Sequence, residues 1–503
     1  MSQLPEYVAA ATPVPQDARA AWYKNTAQTY AGIMLWFVFW KAVVSGSATP
    51  GGSLSAGLGV ALLGLLVAAL FCHFFTYLVP GMLGMKTGLP LYIVGTSTYG
   101  VRGGFIMPGF MMGALQFGWL AVNAFFSCWA ICKCFKIGVD ANGDVIVPGV
   151  VHGSMSIVFI ILAVVIGIKG IQYVAKVATF VPIIPLGILI YLLVLTAGGI
   201  GSFDSEKLVE TNQAALTAAA EDRAAEAAAI EDAKSPEGLA ATKAADDAKA
   251  ASEKEPMGIV PVLFFLSMYV VGFFATAGAA GADFGMNNRD AKDVHLGGLV
   301  GIVGATFFAG AVAILVVAGA YGKGMIPVEM QAELDPVNLM SAIAGDNAAN
   351  TMLLLLAAAS FAPACFPAFV AANSFKTTMP KFGMIAVGIG TVASVGLAVT
   401  GLAGKAVPVF QVVGASFGPI CGAMMADYIL SGFKWNGPRA GFNMAGWISW
   451  AVGFFVGAVD LLSGNAVGIP CAPMAALIVG FVLYAVLATI GLQSKTLEMP
   501  TKE

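Results

Sequence analysis

Several residues in this sequence have types and spacings that can recognise a small polar ligand. Gln116 and Trp119 stand three apart, on one face of any helix that contains them. An amide beside an indole supplies paired hydrogen bonds and a stacking surface, the chemistry a flat, polar, neutral heterocycle needs, although ordinary helix packing uses such pairs too. Asn123 adds a polar group one turn on, and Gly118 permits close approach beside the ring. Phe273 and Phe274 follow Gly272 and precede the run ATAGAAGA, a composition suited to a broken helix whose backbone groups face a ligand.

A second set of residues suits coupling or gating. Lys41 follows Trp36, Phe39 and Trp40 in an apolar run, where an ammonium is costly unless it faces a cavity or a partner, sits at a helix end or is neutral. Asp283 lies deeper than the charges of the loop after it, which suits a coupling residue, an ion pair or a cap. Pro363 and Pro367, with Ser360 before them and Asn373 after, imply interrupted backbone hydrogen bonding, serving either a ligand-facing break or a hinge. Asp427-Tyr428 reads as a cap at a membrane edge. The seven cysteines and three histidines show neither metal-ligand spacing nor a disulfide framework, so no metal and no cofactor is expected.

The elements that position these residues are membrane helices. The 503 residues are 58% hydrophobic and only 11% charged, which excludes a single soluble domain. With about 20 residues per crossing, apolar runs fall near 26–47, 57–82, 105–131, 152–168, 172–198, 258–284, 297–321, 350–373, 383–403, 408–430, 442–464 and 469–492. These are too long and too unbroken for barrel strands, so the expected fold is an all-α bundle of about twelve transmembrane helices. The Glu6- and Asp17-bearing start does not read as a cleavable signal peptide. Short loops and tails on the N-terminal side carry thirteen Lys and Arg against four on the other, which sets both termini in the cytoplasm.

Residues 201–257 form a separate region with 13 Asp/Glu and 6 Lys/Arg. The region is Ala-rich and shows no sustained apolar stripe, so it is expected to form solvated helical pieces outside the cell, as a spacer or as a cap. The expected domains are a tail over 1–25, a five-helix repeat over 26–198, the acidic insert over 199–257, a second five-helix repeat over 258–430, two further helices over 431–492 and a tail over 493–503. Paired inverted units with interrupted helices near the midplane are a recurring solution for alternating access.

The chain resembles the nucleobase:cation symporter-1 family and is most similar to its cytosine and purine permease branch. The resemblance rests on Val14-Pro15-Gln16, GMKTGLP at 84–90, YGVRGG at 99–104, Gln116 with Gly118-Trp119, Ala282-Asp283-Phe284 and Ala426-Asp427-Tyr428, spread over roughly residues 14 to 440 apart from the insert. It implies a five-plus-five inverted-repeat core with helices one and six broken and the substrate held between these and helices three and eight. It further implies that Trp119 and Phe274 stack on opposite faces of the ring, Gln116 binds its edge and Trp36 adds an aromatic wall. The sequence departs from the family at Phe273, where a smaller polar residue is usual, and at Ala359, Ala362 and Pro363, where the family supplies an Asn and sodium-binding hydroxyls. Ser360 is left as one hydroxyl, a poor substitute for an oxygen cage.

The expected function is therefore secondary active import of a nucleobase or related planar nitrogen heterocycle across a plasma membrane, the inner membrane in a bacterium, coupled to protons or sodium. The expected partners are the substrate and membrane lipid, with no nucleic acid polymer and no obligate protein. An uncoupled facilitator or a non-transporting binding protein is the alternative. A membrane enzyme has no nucleophile and base, metal set or phosphate loop to stand on. If the Lys41 ammonium replaces the coupling cation or carries its proton, Lys41→Ala removes gradient-driven uptake. Strict sodium dependence surviving in that variant, with sodium and proton gradients imposed separately, sinks the assignment.

Overall fold

The computed structural model describes residues 4–25, 40, 49–140, 144–169, 183–230, 235–333, 335–379, 381–464 and 466–499. The first expected span, with Trp36 and Lys41, lies outside the described residues except for Trp40. Ten described helices are long and apolar enough to cross a membrane. They correspond to expected spans two to eight and ten to twelve. The ninth is a shorter apolar helix, Gly383–Val399.

In chain order, α1 spans Leu58–Thr87, α2 Phe105–Phe135, α3 Val150–Lys169 and α4 Ile183–Ser202. Gly88 stops α1 by taking the left-handed conformation at φ 69°, and Pro90 follows. Helices α5 (Ser205–Ala228) and α6 (Pro236–Ser252) form the insert. The second half contains α7 (Ile259–Ala279), the short α8 (Gly281–Gly285), α9 (Ala291–Gly322), α10 (Asp346–Ala359), α11 (Phe361–Thr378), α12 (Gly383–Val399) and α13 (Ala406–Leu430). Helices α14 (Met444–Ser463) and α15 (Ala472–Thr489) pack against α13 at the end of the chain.

Among the described residues three of the expected spans are interrupted, the third at Met107 near the start of α2, where φ −126° and ψ 120° leave the helical region. The sixth is divided at Ala280 into α7 and α8, within the run of small residues. The eighth is divided at Ser360, three residues before the first proline. Pro363 then sits in the first turn of α11, where a helix needs no N–H donor, and Pro367 lies in its interior. Each proline withdraws the donor that would bond the carbonyl four residues back, at Ala359 and at Pro363.

Glycines let the broken sixth span lie directly on α1. A Cβ on Gly84 would run into the backbone of Ala282, and one on Gly285 would strike the Gly81 carbonyl. Thr76 of α1 fills the site that a side chain on Gly278 would need. Such close backbone approach is how helices associate where lipid offers no hydrophobic drive.

The insert is an ordered helical hairpin seated on the bundle. The Asp204 carboxylate caps α5 by accepting from the N–H of Glu206 and Lys207, and the Ser235 hydroxyl caps α6 at Gly238. Leu208, Ala215, Leu216 and Ala220 form a buried stripe at helical spacing, and Leu208 joins the main core. Asn212 accepts from Gly51 N–H at 2.9 Å and donates to the Gln331 carbonyl at 2.8 Å. The stripe is half alanine, which is why the sequence pattern does not reveal it.

At the other end, the N-terminal tail is tied across the helix ends. Arg19 donates to the Met85 carbonyl at 2.6 Å, Gln16 to the Arg289 carbonyl at 2.7 Å, and Ala20 N–H to Asn287 at 2.9 Å. Gly285→Val is expected to destabilise the protein by about 1–3 kcal/mol through overpacking. Thermal melts of detergent-solubilised protein check this, with Gly187→Ala unchanged because nothing lies within 4 Å of its added Cβ.

Candidate functional site

Helix α2 runs beside the breaks in the sixth and eighth spans and presents Gln116, Trp119, Asn123 and Ser127 at intervals of three or four residues. The Trp119 indole N–H donates to Thr276 Oγ1 at 3.3 Å, four residues before the break in the sixth span. Asn123 Nδ2 donates to the Trp119 carbonyl at 2.8 Å, and Ser127 Oγ donates to the Asn123 carbonyl at 2.5 Å. The Ser127 hydroxyl also meets the Ser360 hydroxyl at the second break, and Ser360 bonds the Ala357 carbonyl at 2.7 Å. A continuous polar line therefore joins the two breaks along one face of α2.

Aromatic rings flank this line. The Trp119 ring meets Phe273 edge to face, with centroids 4.9 Å apart and planes at 72°, and Phe273 meets Phe274 at 5.0 Å. Phe273 is half-buried, whereas Phe274, which the resemblance sets on the second face of the ring, is 2% exposed and turned into the core. The aromatic group facing Trp119 in this conformation is thus Phe273. Gln116 is buried and donates to Met112 Sδ at 3.4 Å. Trp40, just before Lys41, is fully buried and donates its indole N–H to the Ala313 carbonyl at 3.0 Å.

Below this level, toward the docked tail, lies a cavity of about 410 Å³. Its walls include Met112 of α2, Asp283 and Phe284 of α8, Phe366 and Asn373 of α11, and Lys24 of the tail. Asp283 accepts the Leu91 N–H at 3.2 Å, so it caps the short helix Leu91–Val94 while lining the cavity. The sequence grouped Asp283 with Pro363 and Pro367 as coupling or gating residues. The fold puts Asp283 in the cavity wall and the prolines on α11, between the break and Phe369.

Asp427 anchors a separate buried network. Its carboxylate accepts from Ser97 Oγ at 2.7 Å, Tyr484 OH at 2.8 Å, Thr98 Oγ1 at 3.3 Å and Arg439 at 3.3 Å. Arg439 also donates to the Ser97 carbonyl at 2.7 Å, and Asn443 donates to the Thr98 carbonyl at 2.7 Å. The network clamps the Thr96–Tyr99 turn against α13 and α15, away from the Trp119 level. The sequence singled out Asp427 but missed Arg439, Asn443 and Tyr484. Arg439 was visible only as one of the basic residues of a loop.

No known protein-family model matches the chain. Over 143 residues it is 31% identical to the cytosine permease of Escherichia coli (strain K12), a stretch covering 27% of this chain and 30% of the permease. The cytosine permeases of Escherichia coli O6:H1 and O157:H7 match to the same extent. Among solved structures, Mhp1, a nucleobase-cation-symport-1 family transporter in a closed conformation with bromovinylhydantoin bound, aligns with a TM-score of 0.59. That alignment covers 98% of both chains at 13% identity. Inward-facing Mhp1 gives 0.59 at 14% identity, over 98% of this chain and 96% of that one. A Na+-coupled sialic acid symporter gives 0.53 at 13%, over 98% and 93%.

Asp427→Ala is expected to cost about 3–5 kcal/mol, because it strands the buried Arg439. A double-mutant cycle with Arg439→Met, read by thermal melts, checks it, since the second substitution recovers much of the loss only if the pair is coupled. In sequence the chain is similar to cytosine permeases over about a quarter of its length, and in fold it is a multi-pass membrane protein of the kind seen in a nucleobase-cation-symport-1 transporter.

Proposed function

We propose that this protein is a secondary active transporter that imports a nucleobase or a similar planar nitrogen heterocycle by alternating access. The observation that carries the reading is the hydrogen-bonded face of α2, on which Trp119 meets Thr276 just before the interruption in the sixth span and Ser127 meets Ser360 at the interruption in the eighth. Pro363 leaves the Ala359 carbonyl without its helical donor at membrane depth, and a bundle hinged at such interruptions can expose its centre to either side in turn. Trp119 and Phe273 supply apolar ring faces, while Gln116, Asn123 and Thr276 supply donors and acceptors for a polar edge. The matched segment of the curated cytosine permeases supports the same substrate class.

Concentrative uptake needs a coupled cation, either a proton or sodium. The Ser127 and Ser360 hydroxyls at the second break are the described oxygen ligands nearest to that role, with Lys41 lying outside the described residues. The distribution of Lys and Arg supports residence in a plasma membrane, the inner membrane in a bacterium, with both termini cytoplasmic. An uncoupled facilitator would equilibrate its substrate without concentrating it, and a binding protein would move none.

The test is uptake of labelled cytosine, with a panel of competing heterocycles, into proteoliposomes under imposed sodium or proton gradients. Accumulation above the external concentration is expected. Base stacking on an aromatic side chain contributes about 1–3 kcal/mol, so Trp119→Ala should weaken apparent affinity roughly ten- to a hundredfold while the protein still inserts. Unchanged uptake kinetics in normally inserted Trp119→Ala would remove the tryptophan from the substrate site.

A further inference from the structure

The cavity toward the N-terminal tail is a distinct level of the molecule. On α2 its wall at Met112 lies seven residues before Trp119, and on the sixth span its wall at Ala280 lies seven residues after Phe273. On α11 its wall reaches Ser374, which bonds the Gly109 carbonyl, ten residues before Trp119 on α2. At 1.5 Å per residue, these displacements are roughly 10–15 Å along the helices. All three are in the same direction, because α2 runs away from the tail while the sixth and eighth spans run toward it.

The cavity has the features of a ligand site in its own right. Its volume of about 410 Å³ falls within the range of small-molecule pockets. Phe284 and Phe366 stack on each other, parallel to within 5° with centroids 6.4 Å apart, and form a flat aromatic wall against which a ring can lie. Beside them, Asp283 has used one acceptor position on the Leu91 N–H, and a carboxylate has about four. Asn373 and the Lys24 ammonium complete the polar part of the wall.

Resting on the transport reading above, we propose that this cavity is a second substrate site, which holds an amino-substituted planar heterocycle against the stacked Phe284 and Phe366 rings with its amino group on Asp283. The ring occupies it after leaving the Trp119 level and before release on the tail side. A carboxylate accepts hydrogen bonds and donates none when ionised, so Asp283 favours a ring with an exocyclic amino donor, as cytosine has, over one with a carbonyl at the matching position.

The experiment is equilibrium binding of labelled cytosine and labelled uracil to the purified full-length protein, with stoichiometry measured for the wild type, Trp119→Ala, Phe366→Leu and Asp283→Asn. Two cytosine sites are expected in the wild type, with one lost in Trp119→Ala and the other in Phe366→Leu. The leucine keeps apolar bulk but removes the flat face, and thermal melts identify any variant that fails to fold. Asp283→Asn should weaken the second cytosine site roughly tenfold and leave uracil binding unchanged. A single wild-type site that Trp119→Ala abolishes overturns this proposal and leaves the transport reading standing. Two sites both insensitive to Phe366→Leu and Asp283→Asn overturn it as well. Failure of the wild type to bind any heterocycle of the panel overturns both readings.

Discussion

In hydrocarbon every backbone N–H and C=O must find a partner within the protein, so a membrane helix can be broken only where other protein surrounds the break. The architecture follows from that constraint. Ala280 and Ser360, the points of interruption in the sixth and eighth spans, are 7% and 8% exposed. Around the first, glycines at 81, 84, 278, 281 and 285 bring the backbones of α1 and the sixth span together so closely that no side chain fits between them. Around the second, the Ser127 and Ser360 hydroxyls and the Ala357 carbonyl satisfy one another. The same glycine packing that protects the first break also fixes Asp283 and Phe284, on the turn just beyond it, in the cavity wall.

Hydropathy makes the crossings legible in the sequence because a span is a property of a whole run of residues. Ten of the expected runs recur as described membrane-length helices, and the break in the sixth was signalled by ATAGAAGA. The eighth is instructive, since the interruption at Ser360 follows from Pro363, whose missing N–H leaves the Ala359 carbonyl without its helical donor. A proline in the first turn of a helix is no defect, so Pro363 starts α11 where it would otherwise have kinked it. The hairpin of the insert was less legible, because its contacts are made by two leucines, two alanines and one asparagine that bridges two distant loops.

The site was readable as a set of residue types and much less so as directions. Spacing alone places Gln116, Trp119, Asn123 and Ser127 on one face, and the hydrogen-bonded line along α2 follows that face. Adjacent residues such as Phe273 and Phe274 point about 100° apart on a helix, so the sequence cannot say which one meets Trp119. Long-range partners are likewise invisible. Nothing in the spacing of Asp427, Arg439 and Tyr484 marks them as a cluster, nor does the distance between Asp283 and Leu91 along the chain.

The two levels differ in what they ask of an entering ring. At the upper level the polar groups already bond within the protein, Trp119 to Thr276, Gln116 to Met112 and Asn123 to the Trp119 carbonyl. A ligand there must exchange these bonds for its own, and each is worth only about 0.5–1.5 kcal/mol net, so the exchange is near balance and is decided by how well the ring restores every partner. That makes the upper level selective and easily reset once the ring departs. The lower cavity is a formed space in this conformation, and a ring entering it adds to the bond that Asp283 already accepts from Leu91. A ring released from the upper level therefore meets an aromatic pair and a carboxylate in a preformed space, and its departure lets Trp119 and Thr276 rejoin behind it. In the proposed sequence, re-forming the protein's own hydrogen bonds favours closure of the upper level behind the ring.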